Sequence, residues 1–268
     1  EDPLLSRALD FEKLGNYKDA IICYKDYLKK STDEKTNEKL YLRIARLTQN
    51  FNEAVSAYNT YLTKYPKSRF RFFGRFELAK LYLINGDYDN SKVEFYKIAE
   101  FSKGTPYWQT SLIEATKIEI HQSNFKRAIK NLYDILNEID DYEDIGVAYY
   151  LLGIASLRQK SYLDSEEFFL ISAGSFPESE KAATSLLELF KLYLDTKKEG
   201  KALLIAKMIN ELYTDSPEND EAYNILQKLK VDNTKSNETV ELINLNENPE
   251  IKKRTLRRLR EDLKLSLE

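Results

Sequence analysis

Few side chains in this sequence are of the types that carry out catalysis. The 268 residues contain one histidine, His121, and one cysteine, Cys23, and neither lies in a recognisable catalytic or metal-binding motif. The sequence has no glycine-rich phosphate loop, no His-Glu-x-x-His helix and no Gly-x-Ser-x-Gly elbow. We therefore expect a protein that is not an enzyme, with no catalytic residues, no bound metal, no cofactor and no small-molecule substrate.

An acidic cluster could in principle bind a cation. It consists of Asp140, Asp141, Glu143 and Asp144. Its spacing does not match a calcium-binding loop, in which oxygen ligands occupy alternate positions ahead of a glutamate. We interpret the cluster as a solvated connection between helices.

The composition favours a folded helical protein. Eight glycines and six prolines are too few for a turn-dense β-sandwich or barrel. The 41 basic and 44 acidic residues give a net charge of −3, so the chain as a whole lacks the basic excess of a nucleic-acid binder. The longest nearly apolar run, 148–157, is about half of the roughly 20 residues that cross a bilayer. The first residues, Glu1-Asp2-Pro3, suggest that a leader or lipid anchor has been removed.

A small residue recurs along the chain at a nearly fixed interval. The interval is 34 residues once and then 37 residues four times, which indicates stacked repeats. The small residues are Ala20, Ala54, Ser91, Ala128, Ser165 and Ala202.

Apolar residues flank each small residue at helical spacing. An aromatic residue stands three positions before it in five copies, with Glu199 as the exception. The positions four residues after it are Tyr24, Tyr58, Phe95, Leu132, Phe169 and Ala206. Tight connections such as Gly15-Asn16, Gly86-Asp87, Ser123-Asn124 and Lys160-Ser161 join each of these helices to a preceding one. The pattern predicts helical hairpins in which these residues form the core.

This pattern resembles the tetratricopeptide repeat family over residues 4–217. Leu152-Gly153, Ser165, Phe169 and Pro177 follow the motif of the family in order. The resemblance implies an all-α, right-handed solenoid of about six helix pairs, whose first helices line a concave binding face. The second copy is expected to have lost about one turn between Ala45 and Ala54. The 37-residue repeats with Tyr-Pro-x-Ser connections are similar to TPR lipoproteins of bacterial envelopes, which implies a scaffold in the periplasm or envelope.

The sequence divides into three predicted regions. Residues 1–230 form the repeat domain, which ends in a capping helix from Pro217 to Lys230. Residues 231–249 form a linker of net charge −3, with four acidic residues and one lysine. Residues 250–268 form a basic amphipathic tail helix, with seven Lys or Arg and four acidic residues. The tail residues expected to make contacts are Lys253, Arg254, Leu256, Arg257, Leu259 and Leu263.

The binding partner of the tail helix is left open by the sequence. A helix of this length is marginal alone in water, so it should become ordered by docking its leucine face. The solenoid, a second protein and an anionic membrane or nucleic acid are the alternatives. The last of these makes a nucleic-acid or membrane-surface adaptor the alternative function of the chain.

The first helices carry the predicted binding site for a partner. Four cations recur there, namely Arg46, Lys80, Lys117 and Lys191. An apolar residue stands about one turn earlier, at Leu42, Phe76, Ile113, Tyr150 and Leu187. We expect an apolar groove with basic side chains that binds an acidic or amphipathic segment of a partner protein. The alternative is that these cations are simply solvated.

Overall fold

The computed structural model of the protein describes residues 2–138 and 141–233, and in these ranges the chain forms thirteen helices and no strand. The helices are α1 (Pro3–Lys13), α2 (Tyr17–Leu28), α3 (Glu34–Leu47), α4 (Phe51–Lys64), α5 (Arg71–Ile84), α6 (Tyr88–Phe101), α7 (Pro106–His121), α8 (Phe125–Glu138), α9 (Tyr142–Arg158), α10 (Tyr162–Ser175), α11 (Ala182–Asp195), α12 (Glu199–Leu212) and α13 (Pro217–Asn233). The predicted all-α architecture of helix pairs is confirmed.

The helices belong to two compact units. Unit 1 extends to Ile118 and unit 2 begins at Glu119, so the division falls within α7. In unit 1, α1 packs on α2, α3 on α4 and α5 on α6. In unit 2, α9 packs on α10 and α11 on α12, while α13 contacts both α11 and α12. None of the described helices is long and apolar enough to cross a membrane.

Short loops with a left-handed residue close most of the hairpins. Gly86, between α5 and α6, has a φ of 77°, a region that glycine enters without steric cost. The N–H of Asp87 then donates to the carbonyl of Tyr82 at 2.9 Å, which satisfies a carbonyl at the end of α5. The side chain of Asp87 accepts from the N–H of Asn90 and so caps α6. These bonds end one helix and begin the next within three residues.

The recurring small residues lie where the two helices of a pair are closest. All six are buried, with at most 2% of their surface exposed. Where the residue is serine, its hydroxyl bonds across the pair: Ser91 Oγ donates to the carbonyl of Ala79 at 2.8 Å, and Ser165 Oγ to that of Gly153 at 3.0 Å. The predicted core residues four positions later are likewise all buried. Small side chains therefore set the helix separation, and the larger neighbours fill the space beside them.

The shortening in the second copy lies elsewhere than predicted. Helix α3 has 14 residues, as α5 has, and three residues join α3 to α4 as in the other pairs. Instead α2 has 12 residues, whereas α4, α6, α8, α10 and α12 have 14 each. The prediction of a lost turn between Ala45 and Ala54 is therefore wrong, because two of the three missing residues belong to the end of α2 and the third to the connection that follows it.

The last described helix is slightly longer than predicted. It begins at Pro217 as expected but ends at Asn233, three residues past the expected end at Lys230. Ala222, Ile225 and Leu226 of this helix pack on the core of α11 and α12, which agrees with a capping role. The rest of the predicted linker and the whole predicted tail helix, including Lys253, Arg254, Leu256, Arg257, Leu259 and Leu263, lie outside the described residues.

Candidate functional site

The four predicted cations lie on first helices, but three of them are paired with glutamates. In unit 1, Lys80 Nζ lies 3.7 Å from Glu77 and Lys117 Nζ lies 2.7 Å from Glu114. In unit 2, Lys191 Nζ lies 3.2 Å from Glu188 and 2.8 Å from Glu221 of α13. In each case a glutamate stands three positions before the lysine on its own helix. The predicted row of free basic side chains is therefore largely neutralised.

Arg46 differs from these three lysines. Its guanidinium carbon lies 5.5 Å from the ring centre of Phe73, and no carboxylate lies within ion-pair distance in the described part of the chain. The Arg46 side chain is exposed, while Phe73 and the predicted residue Phe76, three positions further along α5, are half-buried. A cation held over an aromatic ring keeps its charge available to a ligand. This group of Arg46, Phe73 and Phe76, on α3 and α5 of unit 1, is named the arginine-aromatic patch.

Three of the predicted apolar groove residues are core residues, so their assignment to an open groove is wrong. Leu42, Ile113 and Leu187 are only 8%, 6% and 3% exposed. Leu42 packs with residues of α4 and α5, and Leu187 packs within the core of α10 to α12. The face one turn before the cations points partly into the helix stack, so short aliphatic side chains there are covered.

The two predicted aromatic residues at this face remain half-buried. The ring of Phe76 meets Phe95 edge-on at 5.4 Å, and the ring of Tyr150 lies 6.1 Å from that of Phe169. Their larger side chains reach past the covered layer while one edge stays in the core. Phe76 in unit 1 and Tyr150 in unit 2 are therefore the predicted apolar residues that a partner could still contact.

Arg43 is a cation that the sequence analysis missed. It is the tenth residue of α3, just as Lys80 is the tenth residue of α5 and Lys191 the tenth of α11. The sequence analysis placed Arg46 in this series because it assigned the shortening of the second copy to the chain after Ala45. The structure has the shortening before α3, so Arg43 is the residue in register. The signal was present in the sequence, since Arg43 precedes Lys80 by one 37-residue interval. Glu77, Glu114 and Glu188, which stand before the lysines, are also separated by multiples of 37 residues.

Arg43 belongs to a cluster around Glu12 in unit 1. Arg43 Nε donates to Glu12 Oε2 at 2.7 Å, and Tyr24 Oη donates to the same oxygen at 2.6 Å. Burial alone would raise the pKa of Glu12, but the bonds from Arg43 and Tyr24 outweigh it and lower this pKa. The pKa of Tyr24 is raised by its own burial and by Glu12. The cluster therefore joins α1, α2 and α3 through a stable carboxylate.

Glu166 forms a similar cluster in unit 2. It accepts hydrogen bonds from Tyr193 at 2.8 Å, from Lys198 at 3.0 Å and from Lys201 at 2.9 Å. Burial acts to raise the pKa of Glu166, but these three donors together lower it to about 2. Both clusters hold neighbouring helices together, and neither contains a nucleophile next to a general base.

The acidic cluster near α9 is used in hydrogen bonds to the backbone. Asp141 caps α9 by accepting from the N–H groups of Glu143 at 3.0 Å and Asp144 at 3.1 Å. Glu143 accepts from the N–H of Glu180 at 2.7 Å. Among the described residues, no group of three or more His, Cys, Asp or Glu side chains is arranged to hold a metal ion.

The one cysteine of the sequence, Cys23, is buried.

Comparison with known proteins identifies the fold. No known family model matches the chain, and no curated protein matches it significantly. A solved tetratricopeptide repeat protein from Parabacteroides merdae matches 95% of this chain and 96% of its own, with a TM-score of 0.59 and 17% identity. PilW, a type IV pilus biogenesis factor, matches 82% of this chain and 96% of its own, with a TM-score of 0.54 and 18% identity.

A third solved structure agrees with these two. BtubC from P. vanneervenii matches 92% of this chain and 98% of its own, with a TM-score of 0.51 and 12% identity. Together with the paired helices, these likenesses show that the chain has the fold of tetratricopeptide repeat solenoids, as the motif around Gly153 and Ser165 predicts. At identities this low they show the fold alone.

Proposed function

We propose that the protein is a non-catalytic interaction scaffold of the bacterial periplasm or envelope that binds an acidic or amphipathic segment of another protein. The fold supports a general role in protein interaction, because stacked helix pairs offer extended faces for binding. The location is supported by the resemblance of the long repeats to envelope lipoproteins. It is also consistent with the fold shared with a pilus biogenesis factor. Membrane attachment, if present, would come from a removed anchor or from the basic tail.

The arginine-aromatic patch is the observation that carries the binding proposal. Arg46 offers a guanidinium whose planar donors fit a carboxylate, and it has no intramolecular ion pair to break among the described residues. Phe73 beside it, and Phe76 three positions further along α5, offer apolar surface that is half-exposed. An amphipathic partner segment could place an acidic side chain on Arg46 and an apolar side chain against the rings. Buried aromatic anchors and arginines are the residues that dominate binding energy at protein interfaces.

We expect Lys80 and Lys117 of unit 1 to contribute less to the affinity for a partner than Arg46 does. In the pairs of Lys80 with Glu77 and of Lys117 with Glu114 the lysine is exposed and the glutamate half-buried, and such pairs within one helix are worth about 0.3–0.5 kcal/mol. A partner carboxylate can therefore displace either glutamate at little cost, although the displaced glutamate then repels it. We expect Lys80 and Lys117 to tune the affinity rather than to determine it.

Charge reversal tests the proposal. Cross-linked pull-downs from the native cell with the wild-type chain, Arg46→Glu and the control Lys18→Glu identify proteins that require Arg46. The affinity of each candidate is then measured at low salt. We expect Arg46→Glu to weaken binding by about tenfold or more and Lys117→Glu by about two- to threefold. Lys18 is an exposed lysine on α2, outside the patch, and its reversal should leave the affinity unchanged.

Two results would contradict the proposal. Equal affinity of wild-type chain and Arg46→Glu for every captured partner would exclude the arginine-aromatic patch as the site. Recovery of the protein only in the cytoplasmic fraction, when native cells are separated and probed with an antibody, would exclude the envelope location. The two parts of the proposal fail independently.

The basic tail supports a second candidate function as a nucleic-acid or membrane-surface adaptor. In the predicted tail helix, residues 250–268, the sequence spacing of Leu256, Leu259 and Leu263 predicts one apolar face among seven cations. Binding of phosphates by six or seven cations would weaken steeply as salt rises. A chain lacking residues 250–268 should lose this activity but retain partner binding by the patch, which separates the two functions.

A further inference from the structure

Two connections between helix pairs share one backbone conformation. The connection at 65–69 between α4 and α5 reads Tyr-Pro-Lys-Ser-Arg, and the connection at 176–180 between α10 and α11 reads Phe-Pro-Glu-Ser-Glu. In each, the serine N–H donates to the carbonyl three residues earlier, at 3.1 Å for Ser68 and 3.0 Å for Ser179. The N–H three residues after each serine donates to the serine carbonyl, at 3.2 and 3.0 Å. They are the same turn, three 37-residue intervals apart.

The serine side chains fix both turns in the same way. Ser68 Oγ accepts from the N–H of Phe70 at 2.9 Å, and Ser179 Oγ accepts from the N–H of Lys181 at 3.4 Å. Each hydroxyl also donates to a glutamate on the preceding first helix, Glu38 in unit 1 and Glu143 in unit 2. Both turns are therefore held by side chains of the fold, and the residues around the serines project from a fixed backbone.

The first of these turns is basic and its cations have no ion pairs. We name Lys67, Arg69 and Arg71 the basic turn. None of the three has a carboxylate within ion-pair distance in the part of the chain that the structure describes. The guanidinium carbons of Arg69 and Arg71 lie 4.5 and 4.4 Å from the ring centres of the adjacent residues Phe70 and Phe72. The nearby Glu34 and Glu38 already bind the hydroxyls of Tyr65 and Ser68.

The second turn is acidic at the corresponding positions. We name Glu178 and Glu180, which replace Lys67 and Arg69, the acidic turn. Both are exposed, and Lys181 is the cation that pairs with Glu180, at 3.0 Å. Further carboxylates lie close to this turn, since burial and the charges of Asp141, Glu143 and Glu180 raise the pKa of Asp144.

We propose that the basic turn of one molecule binds the acidic turn of a second copy of this chain, in a weak association. Both halves of the charge complementarity are present in one sequence, on the same fixed backbone. Like turns would repel each other, so a symmetric contact between two basic or two acidic turns is disfavoured. The contact therefore joins two different surfaces, the basic turn of one copy and the acidic turn of the other.

The acidic turn also offers a surface for the arginines. Tyr142 beside it is 43% exposed, and its ring meets that of Phe176 edge-on at 4.9 Å. An arginine can bind a carboxylate with its planar donors while it stacks on a neighbouring ring. This association uses other residues than the arginine-aromatic patch, so the failure of one proposal does not decide the other.

Sedimentation velocity of the full chain tests the proposal through charge reversal. Wild-type chain should self-associate at about 20 mM salt and dissociate at about 300 mM, because exposed ion pairs are screened. The double variants Arg69→Glu with Arg71→Glu, and Glu178→Lys with Glu180→Lys, should each associate about tenfold or more weakly. An equimolar mixture of the two double variants should associate again, because it pairs an acidic turn with a basic turn.

A matched control separates specific pairing from net charge. Lys18→Glu with Lys126→Glu makes the same change in charge as the reversal of the two arginines, at exposed positions on α2 and α8 that belong to neither turn, and should associate like wild type. The neutral variant Arg69→Gln with Arg71→Gln serves if charge reversal disturbs folding, as judged from the helical circular dichroism.

Three outcomes would overturn the proposal. Wild-type chain could remain monomeric at low salt over the whole concentration range. Association could be unchanged in both double variants, or their mixture could fail to associate. The chain could also be strictly monomeric while its basic turn captures an acidic partner protein. That protein, and not a second copy of the chain, would then be what the basic turn binds.

Discussion

Units 1 and 2 build the same hairpin with different residues at its most constrained position. In unit 1 the left-handed residue of the loop is glycine, with φ values of 73° at Gly15 and 77° at Gly86. In unit 2 the same place is taken by Ser123, Lys160 and Lys197, with φ values of 62°, 62° and 56°. A side chain in this region costs roughly 1–2 kcal/mol. The comparison shows that hydrogen bonding at the helix ends determines the loop conformation even where the residue type opposes it.

Charge differs between the units more freely than packing does. Ala20 in unit 1 and Ala202 in unit 2 are both completely buried at the same point of the hairpin. At the turns, by contrast, Lys67 in unit 1 corresponds to Glu178 in unit 2. A close-packed position accepts side chains of only a narrow range of volumes. An exposed position accepts a positively or a negatively charged side chain at little cost in stability. Surface charge is therefore where the repeats can acquire different binding properties.

The largest expected effect comes from the close contact within a hairpin of unit 2. A Cβ added at Gly153 would lie 2.5 Å from the ring of the fully buried Phe169. We expect Gly153→Ala to lower the free energy of unfolding by about 2–3 kcal/mol, because the core must shift to admit the methyl group. Urea denaturation followed by circular dichroism measures the loss. Gly174→Ala on α10 is the control, since a Cβ there meets nothing and should add about 0.5–1 kcal/mol.

The corresponding change in unit 1 sharpens the comparison. A Cβ at Gly74 would lie 2.8 Å from the ring of Tyr61. This gap is wider than the one at Gly153, so Gly74→Ala should cost less, about 1–2 kcal/mol. If Gly74→Ala destabilised the chain more than Gly153→Ala, packing would be tighter in unit 1 than the structure shows.

The carboxylate clusters give the next largest effect, and it depends on pH. The pKa of Glu166 is lowered to about 2, so its ionised form stabilises the fold. This contribution is complete above the unfolded pKa, near 4.5, and is lost as pH falls towards 2. We expect Glu166→Gln to cost on the order of 2 kcal/mol at pH 7, and the difference from wild type to shrink between pH 4.5 and 2.

Glu12→Gln is the comparison in unit 1. Its pKa is also lowered, by the bonds from Arg43 and Tyr24 against the opposing effect of burial, so the same direction of pH dependence is expected. Urea unfolding of wild type and both variants at pH 7 and pH 3 gives the six free energies required. A cost for Glu166→Gln that did not change with pH would contradict the role of its charge.

Substitution of the residue with positive φ in the hairpin loop should change the free energy of unfolding by a smaller amount, with opposite sign in the two units. Lys160→Gly should raise the free energy of unfolding by about 1 kcal/mol, because glycine adopts the positive φ without strain. Gly86→Lys should lower it by about 1–2 kcal/mol for the converse reason. Thermal denaturation distinguishes the two changes. Lys130→Gly in the interior of α8 is the control and should be destabilising by about 1 kcal/mol.

The sequence was sufficient to predict the helix pairs but not every alignment between them. The small residues lie at a contact that constrains volume, so their interval predicts all six hairpins. The position of the missing turn was wrong because Ala45 is as small and as buried as the marker residues, which made a false alignment acceptable. That error placed Arg46 in the row of cations and excluded Arg43.

The binding face was predicted only in part, for a physical reason. An apolar residue on a first helix can face its own hairpin, the next pair or solvent, and helical periodicity does not separate these directions. Leu42, Ile113 and Leu187 therefore looked like groove residues but are covered. The pairing of Lys80 and Lys117 with glutamates three positions earlier was readable from the sequence, since this spacing joins side chains on one helix face.

The smallest expected effects separate the lysines of the two units. Lys117→Gln in unit 1 should change the free energy of unfolding by less than about 0.5 kcal/mol, because its pair with Glu114 is exposed and lies within one helix. Lys191 in unit 2 also reaches Glu221 on α13, so Lys191→Gln should cost roughly 0.5–1 kcal/mol by loosening the last helix. Hydrogen exchange of α13 measures that loosening directly. Equal exchange in the two variants would mean that the pair of Lys191 with Glu221 does not hold α13, which would then be held by its apolar face and by the hydrogen bond from Thr184 to Glu218.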